Sequence, residues 1–107
     1  MNIVKGGLAI HGRAETSDVL ILGKIIASDY SYSVIPYCRD FSWGNKTKGS
    51  LQLSLAIMLK YCDNKDIAIN LHRYYLNEVI SKLILDKNFL ITIVDVLAWI
   101  KGKENKC

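Results

Sequence analysis

The sequence lacks the cysteine content and spacing of a cross-linked or zinc-bound scaffold. Its three cysteines, Cys38, Cys62 and Cys107, are odd in number and show no C-x-x-C spacing. This pattern excludes a closed disulfide framework and a zinc knuckle. A reducing compartment fits such cysteine usage, so we expect a cytoplasmic location.

Long apolar runs are also absent. The most hydrophobic stretches are interrupted by Lys, Asp or Ser every few residues, and no basic N-terminal segment precedes an apolar run. These features argue against a transmembrane helix and a signal peptide. We therefore expect a soluble protein with no membrane partner.

Groups suited to catalysis are sparse. There are two histidines, His11 and His72, and no His, Cys, Asp or Glu cluster has metal-ligand spacing. Each histidine is more typical of a packing or surface residue than of a general base. The sequence therefore predicts a protein that is not an enzyme and has no metal or cofactor. A site assembled from residues distant in the sequence is the alternative that composition leaves open.

The charge is modest, with no block of one sign. Fourteen basic and ten acidic side chains give a formal charge of +4, which favours anionic partners only weakly. Half of the 107 residues are hydrophobic, enough to form a core without cross-links. We expect one domain over residues 1–107.

The N-terminal half carries strand signals. Residues 8–11 form an apolar run between glycines, and residues 19–22 and 25–26 predict a hairpin with a type II′ turn at Gly23-Lys24. Over residues 30–35, tyrosine and valine alternate with serine, which predicts a half-buried strand ending at Pro36. An aromatic surface for stacking bases is the alternative.

The C-terminal half carries three helical patterns. Ser50 is the predicted N-cap of a buried helix over residues 51–62, and Asp63 or Asn64 caps a second over about residues 65–84. In the first of these helices, the distribution of apolar residues predicts that three polar residues are exposed to solvent, namely Gln52, Ser54 and Lys60.

The third helix is predicted over residues 93–101, where Thr92 and Asp95 approximate a capping box. Its core-facing residues are predicted to be Val94, Leu97, Ala98 and Trp99. The predicted class is α+β, with a small N-terminal antiparallel β-sheet packed against a C-terminal three-helix half.

One segment, residues 36–50, combines cationic, aromatic and glycine residues directly before a helix. A helix start presents unpaired N–H groups and partial positive charge, so such a loop can receive a phosphate. The alternative is an ordinary connection with buried rings and solvated lysines. The predicted ligand-binding residues are Arg39, Phe41, Trp43, Gly44, Asn45, Lys46, Lys48, Gly49 and Ser50.

Three stretches have a distinctive order, namely residues 19–26, the run Phe41-Ser42-Trp43-Gly44 and the Leu/Ala-rich helix over residues 51–59. In these stretches, and on into the second and third helices, the sequence resembles an uncharacterised family, known only as a domain of unknown function, with members in bacteria, plasmids and phages. This resemblance implies a shared fold pattern and a mobile-element context, with a location in the host cytoplasm if a phage encodes the protein.

Three functions are consistent with these observations. The first is a phage or mobile-element protein that binds an anionic nucleotide-type ligand and acts against host defence. The second is a protein-interaction inhibitor of a host defence complex such as a CRISPR effector. Binding of duplex nucleic acid ranks third, because the second helix lacks a dense basic face. Homodimerisation is compatible with all three.

Overall fold

The computed structural model describes residues 9–104, which contain four strands, four α-helices and a single 3₁₀ helix. The described residues divide into two compact units, residues 9–26 with 87–104 (the sheet unit) and residues 27–86 (the helical unit). The α+β class is confirmed. The single domain predicted from the sequence stays a prediction. None of the described helices is long and apolar enough to cross a membrane.

The elements are β1 (Ala9–Arg13), β2 (Asp18–Ile21), β3 (Lys24–Ile25), α1 (Asp29–Val34), α2 (Lys48–Tyr61), α3 (Lys65–Glu78), the 3₁₀ helix (Ile80–Lys82), β4 (Phe89–Thr92) and α4 (Ile93–Glu104).

The sheet unit is built on an antiparallel sheet with strand order β3-β2-β1-β4. Ile10 pairs with Ile21 on one side and with Ile91 on the other, and all three side chains are buried. The first predicted strand is confirmed where it can be seen, while Leu8 lies outside the described residues. The fourth strand was not predicted, because four residues flanked by a helix signal give little periodicity of their own.

The predicted hairpin forms with a different turn. Ile21 pairs with Lys24, so the two loop residues are Leu22 and Gly23. Their φ angles are 54° and 79°, and positive φ at both positions is typical of a type I′ turn, whose twist matches the flanking strands. The predicted type II′ turn at Gly23-Lys24 was therefore wrong by one residue.

In the helical unit, the predicted strand over residues 30–35 was wrong, because this segment forms α1. The Ser31 and Ser33 hydroxyls donate to the carbonyls three residues earlier, at 3.0 and 2.6 Å, as serine can in a helix. Ser31 is buried, whereas Tyr30 is 62% exposed. Burial of the serine and exposure of the tyrosine reverse the expected sheet pattern.

Helix α2 begins three residues earlier than predicted. Thr47 is its N-cap, and Ser50 lies inside its first turn, so Ser50 was wrongly predicted as the cap. Gln52 and Ser54 are fully buried, contrary to the prediction, while Lys60 is exposed. Because apolar residues occur around nearly the whole circumference of this helix, their pattern could not identify the solvent-exposed face.

Local capping signals were better guides. The Asn64 side chain accepts a hydrogen bond from the Ile67 N–H at 2.9 Å, confirming the cap of α3, although α3 ends at Glu78. The Thr92 hydroxyl likewise accepts from the Asp95 N–H at 3.1 Å at the start of α4. These caps depend only on neighbours in sequence.

The predicted core face of α4 was wrong. Val96 and Ile100 are buried, whereas Val94 is 69% exposed and Leu97 and Ala98 are also exposed. Trp99 is partly exposed. Because α4 is apolar around most of its circumference, periodicity does not select one face.

Candidate functional site

The two aromatic residues of the predicted ligand loop lie in the core. Phe41 and Trp43 are both buried, with Trp43 only 4% exposed. Neither ring can stack on a base without leaving its packed position. They therefore match the alternative interpretation, in which the rings fill the space before the helix.

The start of α2 is occupied by Asn45. Its side-chain oxygen accepts hydrogen bonds from the Thr47 N–H at 3.2 Å, from the Thr47 hydroxyl at 2.8 Å and from the Ser50 hydroxyl. Its amide nitrogen donates to the Ser42 hydroxyl at 3.3 Å. A side chain of the protein thus lies at the start of α2, bonded to Thr47, the N-cap residue, and to the Ser50 hydroxyl.

The two glycines of the loop permit close approach of the protein's own backbone. A Cβ on Gly44, whose φ is +77°, would lie 2.6 Å from the backbone nitrogen of Leu85. A Cβ on Gly49 would lie 2.8 Å from the Asp40 carbonyl oxygen. Packing alone explains both glycines. A ligand at this helix start stays a prediction.

The cations of the loop differ in their surroundings. Lys46 and Lys48 are exposed. The Arg39 guanidinium lies over the ring of Tyr32, 4.4 Å from its centroid, and 4.0 Å from the exposed carboxylate of Asp29. The contact with the ring holds the guanidinium in place, while an exposed ion pair of this length contributes little.

Arg39 belongs to a segment whose backbone is hydrogen-bonded to the buried side chain of Gln52. The Gln52 side-chain oxygen accepts hydrogen bonds from the backbone N–H groups of Tyr37 at 2.8 Å and Cys38 at 2.9 Å. Its amide nitrogen donates to the buried hydroxyl of Ser31 at 3.0 Å. One buried glutamine of α2 therefore connects α1 with the loop that carries Arg39.

The same segment is bonded to α3 through the Tyr37 side chain. The Tyr37 hydroxyl lies 2.8 Å from Nε2 of His72, and Nδ1 of His72 lies 2.6 Å from the Ile69 carbonyl oxygen. A carbonyl only accepts, so Nδ1 carries the proton in the neutral ring, and Nε2 accepts from the tyrosine. Burial lowers the pKa of His72, with a smaller contribution from the charge of Arg73.

A second arginine reaches the same tyrosine. The Arg73 guanidinium donates to the Tyr37 hydroxyl oxygen at 3.3 Å and lies 5.7 Å from the Tyr37 ring centroid. Tyr37 and Arg39 are two residues apart, so their Cα atoms lie within about 7 Å of each other. We call Tyr32, Tyr37, Arg39 and Arg73 the arginine-tyrosine face.

This face is suited to anions. Arginine presents a rigid fork of N–H donors that matches phosphate and carboxylate oxygens. Over residues 9–104, no group of three or more His, Cys, Asp or Glu residues could hold a metal ion. Direct binding of negative charge by the guanidinium groups of Arg39 and Arg73 is the chemistry that this face supports.

Sequence reasoning identified only Arg39 of this face. The sequence predicts a strand around Tyr32 and an exposed position for Gln52, and neither prediction matches the structure. Tyr37 lies 35 residues before His72 and 36 before Arg73, so no local motif joins it to them. The one available signal was a single histidine beside the apolar stripe of a helix, which is typical of packing.

A separate concave surface lies in the sheet unit, with a cavity of about 340 Å³ lined by Arg13, Glu15, Thr16 and Asn88. The Asn88 side-chain oxygen accepts a hydrogen bond from the Ala14 N–H at 2.7 Å. Its charged side chains are one cation and one anion. The cavity thus has less selectivity for an anion than the arginine-tyrosine face.

The model of a family of unknown function, DUF6166, matches residues 13–102 of the chain. No curated protein and no solved structure matches the chain.

Proposed function

The chain belongs to DUF6166, a family of unknown function, and we propose that it is a binding protein for an anionic, nucleotide-type ligand. The ligand is held at the arginine-tyrosine face rather than at the start of α2. The protein binds this ligand without turning it over and needs no cofactor.

The observation that carries the proposal is the placement of two guanidinium groups beside tyrosine rings. Arg39 lies over Tyr32, and Arg73 lies over Tyr37. Each guanidinium has five N–H donors, so one that lies beside a ring keeps donors that can meet a phosphate. Affinity is gained when the binding groups are already ordered before the ligand arrives.

The buried glutamine supports this ordering. Gln52 holds the backbone N–H groups of Tyr37 and Cys38, and the Ser28 hydroxyl donates to the Arg39 carbonyl oxygen at 2.5 Å. The backbone of the cationic segment is therefore bonded at three consecutive residues. Little conformational entropy of this backbone remains to be lost on binding.

The biological setting in this proposal comes from the sequence resemblance to proteins of bacteria, plasmids and phages. We propose that a phage or mobile element encodes the protein and that it acts in the host cytoplasm. Sequestration of a nucleotide signal of host defence is the action that a small binding protein of this kind would perform.

The test uses calorimetry with a panel of linear and cyclic nucleotides, with variants that each remove one positive charge. We expect Arg39→Gln and Arg73→Gln each to weaken binding at least about tenfold, because hydrogen bonds to charged groups contribute about 1.5–3 kcal/mol. Lys46→Gln and Lys48→Gln are matched controls and should bind as the wild type does. Absence of binding by every nucleotide at millimolar concentration would contradict the proposal.

The same four variants distinguish the two locations. Loss of binding in Lys46→Gln and Lys48→Gln, with retention in Arg39→Gln and Arg73→Gln, would return the ligand to the start of α2. Circular dichroism should show that each variant is folded. All four positions are exposed, where single substitutions change stability by about 0.5 kcal/mol or less.

A second candidate function is inhibition of a host defence complex, such as a CRISPR effector, by direct protein contact. The observation that favours it is a set of exposed apolar side chains in the sheet unit, Leu90, Val94 and Leu97. Apolar patches of this kind are typical of protein-binding surfaces. A pull-down from host lysate that yields one stoichiometric protein, lost in Val94→Asp, would favour this function over nucleotide binding.

A further inference from the structure

We propose that Tyr37 is a nucleophile with His72 as its base, and that its phenolic oxygen accepts a phosphorus-centred group from a phosphoanhydride bound at the arginine-tyrosine face. The inference rests on the proposed function and adds one stoichiometric covalent step to it. It makes Tyr37 a site of self-modification.

The geometry of Tyr37 and His72 meets the requirements for an activated nucleophile. The hydroxyl oxygen is 2.8 Å from Nε2 of His72, within the range for direct proton transfer. The base is oriented in turn by a third group, because Nδ1 lies 2.6 Å from the Ile69 carbonyl oxygen. Covalent catalysis uses this arrangement, in which a nucleophile is hydrogen-bonded to a base and the base to an orienting acceptor.

His72 is held in the form that can accept a proton. The side chain is only 2% exposed, and burial and the charge of Arg73 both favour the neutral ring. After proton transfer, the Ile69 carbonyl and the modified Tyr37 oxygen both remain as acceptors for the two N–H groups of the imidazolium. Tyr37 and Arg73 are the titratable or charged side chains that face this ring or act on it.

Arg73 supplies the third requirement, a cation beside the reacting oxygen. Its guanidinium nitrogen lies 3.3 Å from the Tyr37 oxygen. From there it can donate to an oxygen of the group being transferred, where negative charge develops in the transition state. The tyrosine oxygen keeps one lone pair for attack, because it donates once and accepts once.

The step balances without any oxidant or reductant. The Tyr37 oxygen forms a bond to phosphorus, the bond from that phosphorus to the bridging oxygen breaks, and the phenolic proton moves to Nε2 of His72. Attack on the α-phosphorus of a nucleoside triphosphate yields nucleotidyl-tyrosine and pyrophosphate. Attack on the γ-phosphorus yields phosphotyrosine and a nucleoside diphosphate.

The first experiment measures nucleophilicity without any nucleotide, using an arylsulfonyl fluoride that labels tyrosine oxygen and peptide mapping. Tyr30, which is more exposed, is the internal control. General base assistance predicts that Tyr37 is labelled on the order of 10²-fold faster than Tyr30. His72→Gln should reduce the Tyr37 rate to that of Tyr30, and His11→Gln should leave it unchanged.

If His72→Gln fails to fold, the pH profile of the wild type gives the same information. Labelling of Tyr37 should fall as acid protonates His72, and the rate at Tyr30 should not share that inflection. Equal labelling rates at Tyr37 and Tyr30 across the pH range would overturn the assignment of Tyr37 as a nucleophile.

The second experiment uses ATP with magnesium, radiolabelled at the α- or the γ-phosphorus. Label should become attached to Tyr37 in the wild type, and its position identifies which phosphorus was attacked. Tyr37→Phe should lose the label, and circular dichroism should show that this variant is folded. ATP that binds the wild type without labelling Tyr37 overturns the covalent inference and leaves binding intact. Absence of ATP binding counts against the proposed function. In that case, the labelling rates with the sulfonyl fluoride decide whether Tyr37 is an activated nucleophile.

Discussion

The side-chain oxygen of Gln52 lies 2.8 Å from the backbone nitrogen of Tyr37. Gln52 is fully buried on α2, where an amide without partners would be costly. Its hydrogen bonds reach Tyr37, Cys38 and Ser31, so one side chain joins α2 to α1 and to the segment before the cationic loop. The polar residue within the helix is explained by this connection.

Replacement of Gln52 should therefore be among the most damaging single changes in the helical unit. Gln52→Leu leaves two backbone N–H groups without their acceptor, each costing about 1–3 kcal/mol. We expect a loss of about 2–5 kcal/mol in the free energy of unfolding, measured by urea denaturation. Asn70→Leu, at an exposed position of α3, is the control and should change stability little.

Trp43 should behave as a core residue. Trp43→Ala removes a nearly buried ring and should lower the free energy of unfolding by about 3–5 kcal/mol. Tyr30→Ala, at an exposed aromatic position, should change it by about 0.5 kcal/mol or less. Thermal denaturation of both variants measures the difference. Retention of full stability by Trp43→Ala would restore the ring as a candidate for stacking on a base.

Asn45 should stabilise the start of α2 by bonding to Thr47, the N-cap residue, and to Ser50, whereas Asn64 caps α3 directly. Asn45→Ala removes the acceptor used by Thr47 and Ser50, and we expect a loss of about 1–2 kcal/mol. Asn64→Ala removes one such bond and should cost about 1 kcal/mol. Urea denaturation of both variants tests the order. A smaller loss for Asn45→Ala than for Asn64→Ala would argue that the hydrogen bonds of Asn45 add little to the stability of the start of α2.

Acid should destabilise the helical unit through His72. Its pKa in the folded protein lies below 6.5, the ordinary value, chiefly because the ring is buried. The unfolded chain therefore takes up the proton first as the pH falls. The stabilising contribution is complete above about pH 6.5 and is lost as the pH falls through the folded pKa, by at most about 1.4 kcal/mol per pH unit.

The measurement is urea denaturation of wild type and His72→Gln at several pH values. The stability difference between the two proteins should change as the pH falls below neutrality, in the direction that weakens the wild type relative to the variant. His11→Gln controls for loss of a histidine and should keep the wild-type dependence. A constant difference across this range would show that His72 does not titrate differently in the folded protein.

The sequence was informative where a few neighbouring residues determine the structure. The caps at Asn64 and Thr92 and the hairpin around Gly23 follow from local hydrogen bonding and φ preferences. The alternation of tyrosine and serine in residues 30–35 misled, because period two is only a tendency and serine hydroxyls also satisfy helical carbonyls.

The candidate site was predicted in part. Arg39 belongs to the segment that composition singled out, since arginine, aromatic residues and glycines cluster there. Arg73 and His72 lie on a helix more than 30 residues away, and only folding brings them to Tyr37. Phe41 and Trp43 were placed in the candidate site because composition cannot distinguish an exposed ring from a buried one.

By itself, the sequence determined the α+β class, the order of most elements and the residues that start α3 and α4, since these depend on contacts over a few residues. The tertiary structure alone decided which face of α2 and α4 is buried and which cations meet an aromatic ring. Apolar residues on nearly every side of a helix leave its orientation to the packing of distant partners. A hydrogen bond such as that from Tyr37 to His72 exists only after those partners have met.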